Sequence, residues 1–443
     1  MRVMVIGGGT GGMCLAHGLK KAGVHVTVYE RYGSRRDGLY GYRVGIDAIG
    51  SQALHDCLPP TLFDTFVATC ARAPSYFNVL TEGMKHTASI PLPTDRFAVQ
   101  AERSVSRSTL RQVLFTDMDD VVRYGSEFTR YETNPDGTVT AFFSDGSQAT
   151  GDVLVAADGT RSAVRRQYLP HATVTDTGIT AIATKTPLTA ETRALLSPEV
   201  LNGLSLIFGR RGMVGMLHVM EFPWDAEGRP KDPADAALLD AWSGLQFDSS
   251  RDYVNLSVWS VHDRFPERIA DRRGHDLIGA ALDATTDWHP SLRRLFTLSD
   301  PDAAFALRIA TSAPVPAWTP TTVTLLGDAI HTMTPGQGVG ANTALWDAAV
   351  LCRELTAASE GRKDVVAAIG DYELAMLPNG TARVAASLDN NGTSAGDPLY
   401  KSGVVGRLAL AGARTYFALT GKVPALRRKF LAGLRTVRAP DAA

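Results

Sequence analysis

Apolar residues divide the chain into elements of two periods. A short β-branched run, RVMVI (residues 2–6), is closed by Gly7, Gly8 and Gly9. Leu15 and Leu19, four apart, predict a helix over 11–22, and AGVHVTVYER predicts a second strand over 24–29. Two strands joined by a helix default to a parallel pair with a right-handed crossover. Around 75–100 the pattern breaks into short extended pieces, SYFNVL, TASIPLP and FAVQAE, and SVSRSTLRQVLF (104–115) then reads as helix. Several strands are predicted over 120–157, with a hairpin turn at Asp145–Gly146. Further strands over 203–220 and 253–262 flank 225–250, which is polar, rich in Pro and Asp, and partly helical. A buried strand (322–330), a helix (340–356) and a mostly helical stretch (364–443) complete the chain. The pattern is one of βαβ units enclosing a β-rich insertion, with a helical tail.

Length and charge narrow the class. At roughly 100–200 residues per domain, 443 residues allow two or three domains. A formal net charge of −1, without a long basic run, argues against nucleic acid or an anionic membrane surface as the main partner. Cys14, Cys57, Cys70 and Cys352 lie far apart with no CxxC, so neither a metal site nor a disulfide framework is expected, and a reduced cytoplasm fits best. The chain enters a strand at once, without the three regions of a signal peptide. Its most apolar late stretch, VVGRLALAGARTYFALTG, is interrupted by Arg407 and Arg414, so no membrane span is expected.

The chemistry-bearing signals are two glycine-rich strand-to-helix turns more than 300 residues apart. In VIGGGTGGMCLA, Gly7, Gly9 and Gly12 fit G-x-G-x-x-G between a strand and a helix, the context a dinucleotide fingerprint requires. Gly7 permits the tight turn, Gly9 the approach of a pyrophosphate, and Gly12 close helix–strand packing. Glu30 ends the second strand, where a carboxylate accepts ribose hydroxyls and repels a 2′-phosphate. In LLGDAIHTMTPGQGVGANTALWDA (325–348), Asp328 follows a strand, and Gly336, Gly338 and Gly340 strip side chains from the turn. A flat ring then lies against backbone, and the following helix aims its N–H groups at negative charge on that ring. The bland readings are a tight turn at the first loop and a plain glycine-rich connection at the second.

At these residues the chain resembles the single-component flavin monooxygenases typified by para-hydroxybenzoate and salicylate hydroxylases. GGGTGG with VYER resembles the FAD adenosine site, including Glu30 and Arg31. VSRSTLRQVL resembles the family's Arg-x-x-Leu segment, in which Arg107 would contact FAD, and DVLVAADGTRSAVRR its Asp-Gly motif at Asp158 and Gly159. The second glycine turn resembles the Gly-Asp motif through Pro335, Gly338, Gly340, Asn342 and Asp347. There Asp328 would bind the ribityl chain, and backbone around Gly340, Ala341 and Asn342 would sit by the ring. YGYRVGI (40–46) resembles the segment that passes the isoalloxazine, with Arg43 lining it. Simpler readings stand beside these: a salt bridge for Arg107, a turn for Asp158, a structural hydrogen bond for His331, a local contact for Asp347, and a solvated basic face for the tail.

The resemblance implies an α/β protein. A Rossmann-like FAD-binding domain (1–74, 98–168, 305–380) would hold an inserted β-sheet substrate domain (75–97, 169–304), with a helical C-terminal segment (381–443). It implies an FAD-dependent monooxygenase in which NADPH or NADH, a transient co-substrate, reduces FAD. O₂ then adds to flavin C4a, and one oxygen passes to a hydrophobic aromatic or polyketide-like small molecule. No protein nucleophile is needed, and no Ser/His/Asp triad is apparent. Met216, His218 and Met220 share one strand face, Trp259 and Val261 another, and these are candidate substrate walls. Two other flavin chemistries remain open. A halogenase is disfavoured by the lack of Trp-x-Trp-x-Ile-Pro, and a redox-neutral cyclase or isomerase would consume neither NAD(P)H nor O₂. A colourless NAD-dependent dehydrogenase is the non-flavin alternative.

Overall fold

A computed structural model describes residues 1–38, 41, 43–92, 98–225, 227–242, 252–335, 338–388, 394–401 and 403–438, with 434–438 as backbone only. Tyr40, Tyr42 and Gly336 fall outside the described residues. The first framework is a five-stranded sheet in the order Val323–Leu325, Val153–Ala156, Arg2–Ile6, His25–Tyr29, Val122–Arg123. Every pairing in it is parallel. Its strands are apolar on both faces, as a sheet covered on both sides requires; Val3, Val5, Val153 and Leu154 are buried. The Thr10–Lys21 helix packs against the Gly340–Ser359 helix beside this sheet.

The second framework is a seven-stranded sheet: Phe305–Ser312, Val174–Pro187, Tyr253–Val261, Val214–Met220, Gly203–Phe208, Tyr76–Thr81, His86–Pro91. One face, including Ile182, Ile207, Leu217 and Leu256, forms a core with the His275–Ala284 and Pro290–Thr297 helices. By cross-strand register the opposite face carries Met216 beside Ser257, His218 beside Asn255, and Met220 beside Tyr253. Part of that face, at Phe77, Val79 and Phe208, is covered by Ala413 and Phe417 of the Gly403–Lys422 helix. Arg414 fastens this helix by bonding Glu82 and the Phe208 carbonyl.

Several expected boundaries move. Phe305–Ser312 belongs to the large sheet, paired with Val174–Pro187, and not to the parallel unit in which 305 was expected to start. The Val365–Leu388 helix runs straight through the boundary at 380/381. Arg103–Ser106 is a strand, paired antiparallel with Arg43–Ile46, and only Arg107–Leu114 is helix. The expected strand over 322–330 is limited to Val323–Leu325, because Gly327 at φ +58 turns the chain out of the sheet. Among the described residues, no helix is long and apolar enough to cross a membrane, and no group of His, Cys, Asp and Glu is arranged to hold a metal ion.

Candidate functional site

Parallel strands deliver their loops to one edge of a sheet, and ligands gather at the carboxyl ends. Here Gly7 follows Arg2–Ile6, Asp158 follows Val153–Ala156, and Asp328 follows Val323–Leu325; the three strands are immediate neighbours. The two glycine turns therefore meet. A Cβ on Gly11 would stand 2.7 Å from Leu326 Cδ1 and 2.9 Å from the Ala344 carbonyl, so the first helix abuts the second turn's helix directly.

The first loop has the shape its glycines suggest. Gly7 sits at φ +107, and a Cβ there would come within 2.4 Å of the Ala157 carbonyl oxygen. A Cβ on Gly12 would meet the Gly7 carbonyl at 2.3 Å. Gly9 instead faces open space, its nearest non-neighbour atom lying 3.8 Å from an added Cβ. No side chain caps the helix that begins at Thr10, so its first N–H groups are free to hold an anion. Glu30 is buried and braces the loop: Oε2 accepts from Gly8 N–H at 2.9 Å and Oε1 from Tyr32 N–H at 3.0 Å. Each oxygen keeps one more acceptor position. Arg31 is exposed, with its guanidinium 5.1 Å from the Tyr32 ring centre.

Arg111 was not singled out in the sequence, yet it reaches this loop. Its Nη1 donates to the Gly8 carbonyl at 3.1 Å, and Nη2 lies 3.6 Å from Glu30. Nε and Nη2 are buried without a hydrogen-bond partner. Arg107, one helical turn earlier, is exposed and lies against Gly41, within the electrostatic field of Asp328. A dinucleotide suits these groups: phosphate oxygens for free N–H donors, hydroxyls for spare acceptors.

Asp158 and Asp328 behave as the walls of a crevice. Asp158 Oδ2 accepts from Ala163 N–H at 2.8 Å, so the turn reading holds for one oxygen, while Oδ1 is buried with no partner. Burial raises its pKa against the hydrogen bonds from Ser162 and Ala163. Asp328 is open to solvent, yet surrounding protein raises its pKa by desolvation, opposed by His331 and Arg107. An accessible but desolvated carboxylate is what the wall of a deep cleft produces, and it fits a hydroxyl-bearing chain. Gly338 takes φ +67, and a Cβ on Gly340 would lie 4.0 Å from Asp328 Oδ1. Ala341 is half-buried at the start of the helix.

Asn342 ties this turn to the rest of the cleft. Its Oδ1 accepts from Asp47 N–H at 3.0 Å, and its Nδ2 donates to the carbonyls of Gly45 (2.9 Å) and Gly338 (3.0 Å). Asp47 in turn caps the Ala48–Cys57 helix through Ile49 and Gly50 N–H. A pocket between these parts is lined by Arg43, Ile46, Ser104, Gly338 and Asn342 among others. Arg43 donates to Ser104 Oγ at 3.2 Å, and Ser104 Oγ lies 3.3 Å from His218 Nε2. His218 is buried, and burial, with Arg43 adding to it, lowers its pKa well below the ordinary histidine value. Its Nδ1 and the neighbouring Asn255 Oδ1 have no partner. Met216 is half-buried one pleat away on the same face. Trp259 shares the face but lies four residues further along, roughly 13 Å away. It packs with Ala395 and Tyr400, not with the His218 group. His331 and Asp347 take the simpler reading: the ring Nε2 lies 2.5 Å from Asp347 Oδ2, which also accepts from Gly327 N–H. Burial opposes charge on His331, but Asp347 prevails and its pKa rises.

Comparison with known proteins agrees with this geometry. Residues 298–382 match the FAD binding domain family, and residues 5–37 match an NAD(P)-binding Rossmann-like domain. The chain is 33% identical over 388 residues to the dual O-methyltransferase/FAD-dependent monooxygenase elcB of Phaeosphaeria nodorum, covering 83% of this chain and 42% of that protein. With CTB3 of Cercospora beticola, of the same description, the identity is 32%, over 84% of this chain and 44% of that one. The chain thus spans less than half the length of these relatives. A Photorhabdus luminescens structure described as an FAD-containing monooxygenase superposes with a TM-score of 0.74 at 31% identity, covering 88% of this chain and 96% of that one.

Proposed function

Because the chain belongs to the FAD-dependent monooxygenase family, we propose that it inserts one atom of O₂ into a hydrophobic small molecule, aromatic or polyketide-like, by hydroxylation or epoxidation. NAD(P)H supplies the two electrons that carry the second oxygen atom to water. The observation that most supports this is the meeting of the two glycine turns at one sheet edge, opposite the His218 face of the large sheet.

When bound, the flavin supplies the redox chemistry, taking electrons from NAD(P)H and activating O₂. The protein's part is to bind, orient and exclude water. The free N–H groups at Thr10–Gly12 would hold the pyrophosphate, Glu30 and Arg111 the adenosine ribose, and Asp328 the ribityl hydroxyls. Backbone N–H groups around Gly340, Ala341 and Asn342 would face the ring, where the helix start favours negative charge. On the far wall, Met216 offers apolar contact. His218 is a neutral ring whose buried Nδ1 has no hydrogen-bond partner and would be matched by a substrate hydroxyl or carbonyl set against it. Keeping that wall uncharged and dry suits a reaction in which water is a competitor.

The test is direct. Purified protein should carry FAD, and a panel of phenols and polycyclic compounds should include one that stimulates NAD(P)H oxidation with matching O₂ uptake and a product heavier by one oxygen. A flavin-loaded protein that turns over a substrate with neither NAD(P)H nor O₂ consumed would overturn the proposal.

A further inference from the structure

We propose that the outer face of the C-terminal helix pair, Gly403–Lys422 and Pro424–Arg438, docks on an anionic lipid surface. The Gly403–Lys422 helix has two apolar faces, and only one is used inside the molecule. Its inner face, with Leu410, Ala413 and Phe417, packs on the large sheet. Its outer face exposes Val404 (60%), Val405 (55%), Leu408 (67%), Tyr416 (50%) and Leu419 (47%), and Val423 follows at 37%. At 100° per residue these six fall within about a third of the helix circumference. Ala411, Gly412 and Thr415 fill the gaps on that side, and the stripe's one charge within the helix is Lys422, its last residue, in line with Val404. One exposed leucine is ordinary, but a continuous stripe marks a contact surface.

The charges beside the stripe select the partner. Residues 401–438 contain nine Lys and Arg and no Asp or Glu. Arg414 and Arg427 are spent on Glu82, the Phe208 carbonyl and the Gly421 carbonyl. Lys401, Arg407, Lys422, Arg428 and Lys429 are exposed. A second copy of the chain would bring the same cations to the contact and repel. An anionic bilayer offers both an apolar layer and phosphates to meet them. The helix is too interrupted to cross a bilayer, so it lies in the interface with its apolar side down. The whole-chain charge of −1 hides this, because the rest of the sequence is net acidic.

Co-sedimentation of the full chain with vesicles tests it. Vesicles of mixed phosphatidylserine and phosphatidylcholine should bind at least about tenfold more tightly than pure phosphatidylcholine, and less so at high salt. Leu408→Asp/Leu419→Asp should lower binding at least about tenfold with flavin content and thermal midpoint unchanged. Arg428→Glu/Lys429→Glu, a surface change, should remove the preference for anionic lipid. No vesicle binding, equal binding by the Leu408/Leu419 variant, or a stripe variant that alters only the oligomeric state would each overturn the proposal. None of these readouts needs turnover, so a failed activity assay leaves them intact.

Discussion

Asn342 ties the Gly338 turn to the end of the Arg43–Ile46 strand, nearly 300 residues away in sequence, so Asn342→Ala isolates the energy of that junction. The truncation removes three hydrogen bonds, to Asp47 N–H, the Gly45 carbonyl and the Gly338 carbonyl. The Asp47 N–H is buried, and leaving it without an acceptor costs ~1–3 kcal/mol. The two carbonyls are part-buried and recover water, so they add less. The amide also fills space against Gly50, where a Cβ would lie 2.1 Å from Oδ1, so its loss leaves a gap. Together these give a destabilisation of about 2–4 kcal/mol. The same change frees the Gly338–Ala341 turn, and FAD affinity should fall at least about tenfold, equivalent to ~1.4 kcal/mol. Asn342→Asp should be no milder, since it keeps an acceptor for Asp47 but sets a carboxylate against two carbonyls. Urea unfolding followed by tryptophan fluorescence gives the first quantity, and flavin titration of the apoprotein the second. If Asn342→Ala changed unfolding by less than ~0.5 kcal/mol and bound FAD like the parent, the junction would carry no energy and the reasoning would fail.

Two further outcomes are expected. His17 is buried, and burial outweighs its hydrogen bond to the Leu114 carbonyl, setting its pKa at about 4 against 6.5 unfolded. Because the folded value is the lower one, its contribution is present above pH 6.5 and lost as pH falls towards 4, about 2 kcal/mol between pH 7 and pH 5. His17→Gln, which keeps a donor but does not titrate, should show a correspondingly flatter pH dependence in urea unfolding; parallel curves would contradict this. Asp328→Ala should weaken FAD retention at least about tenfold while leaving the fold intact, because the carboxylate is exposed. Unchanged flavin content after gel filtration would remove Asp328 from the site.

What could be read along the chain, and what could not, follows from the range of the interactions. Gly7, Gly9 and Gly12 were legible because strand, turn and helix are adjacent, and the backbone demands at Gly7 and Gly12 are local. Asp328 was legible from its place after a strand. Asn342 was legible as a motif position, but its side-chain role was not, since Gly45 and Asp47 lie at the far end of the sequence. Ser104 and His218 meet only through tertiary packing between the Arg43–Ile46/Arg103–Ser106 ribbon and the large sheet. The ribbon strand itself is short and polar, so its pattern merged into the helix that follows. Val174–Pro187 was missed because threonines replace the apolar residues that make an alternating strand visible.

The polar groups at the cleft explain why this arrangement points to a dinucleotide and not to a catalytic triad or a metal. Asp158 Oδ1 and the Nε and Nη2 of Arg111 are buried without a hydrogen-bond partner, Nη2 facing Glu30 at 3.6 Å, and Asp328 is desolvated. Unmatched buried groups of this kind cost ~1–3 kcal/mol each. They lie along the edge of one sheet, and among the described residues no group of three or more His, Cys, Asp or Glu is arranged to hold a metal ion. A ligand that recovers this cost must be long, must alternate acceptors with hydroxyl donors, and must end in a ring that tolerates backbone on one face. Ribose, pyrophosphate and ribityl chain meet the first two conditions in that order, and the glycine turn at Gly338–Gly340 meets the third. Binding energy drawn from so many separated groups makes retention of the cofactor cumulative, so single substitutions should weaken it stepwise and not abolish it.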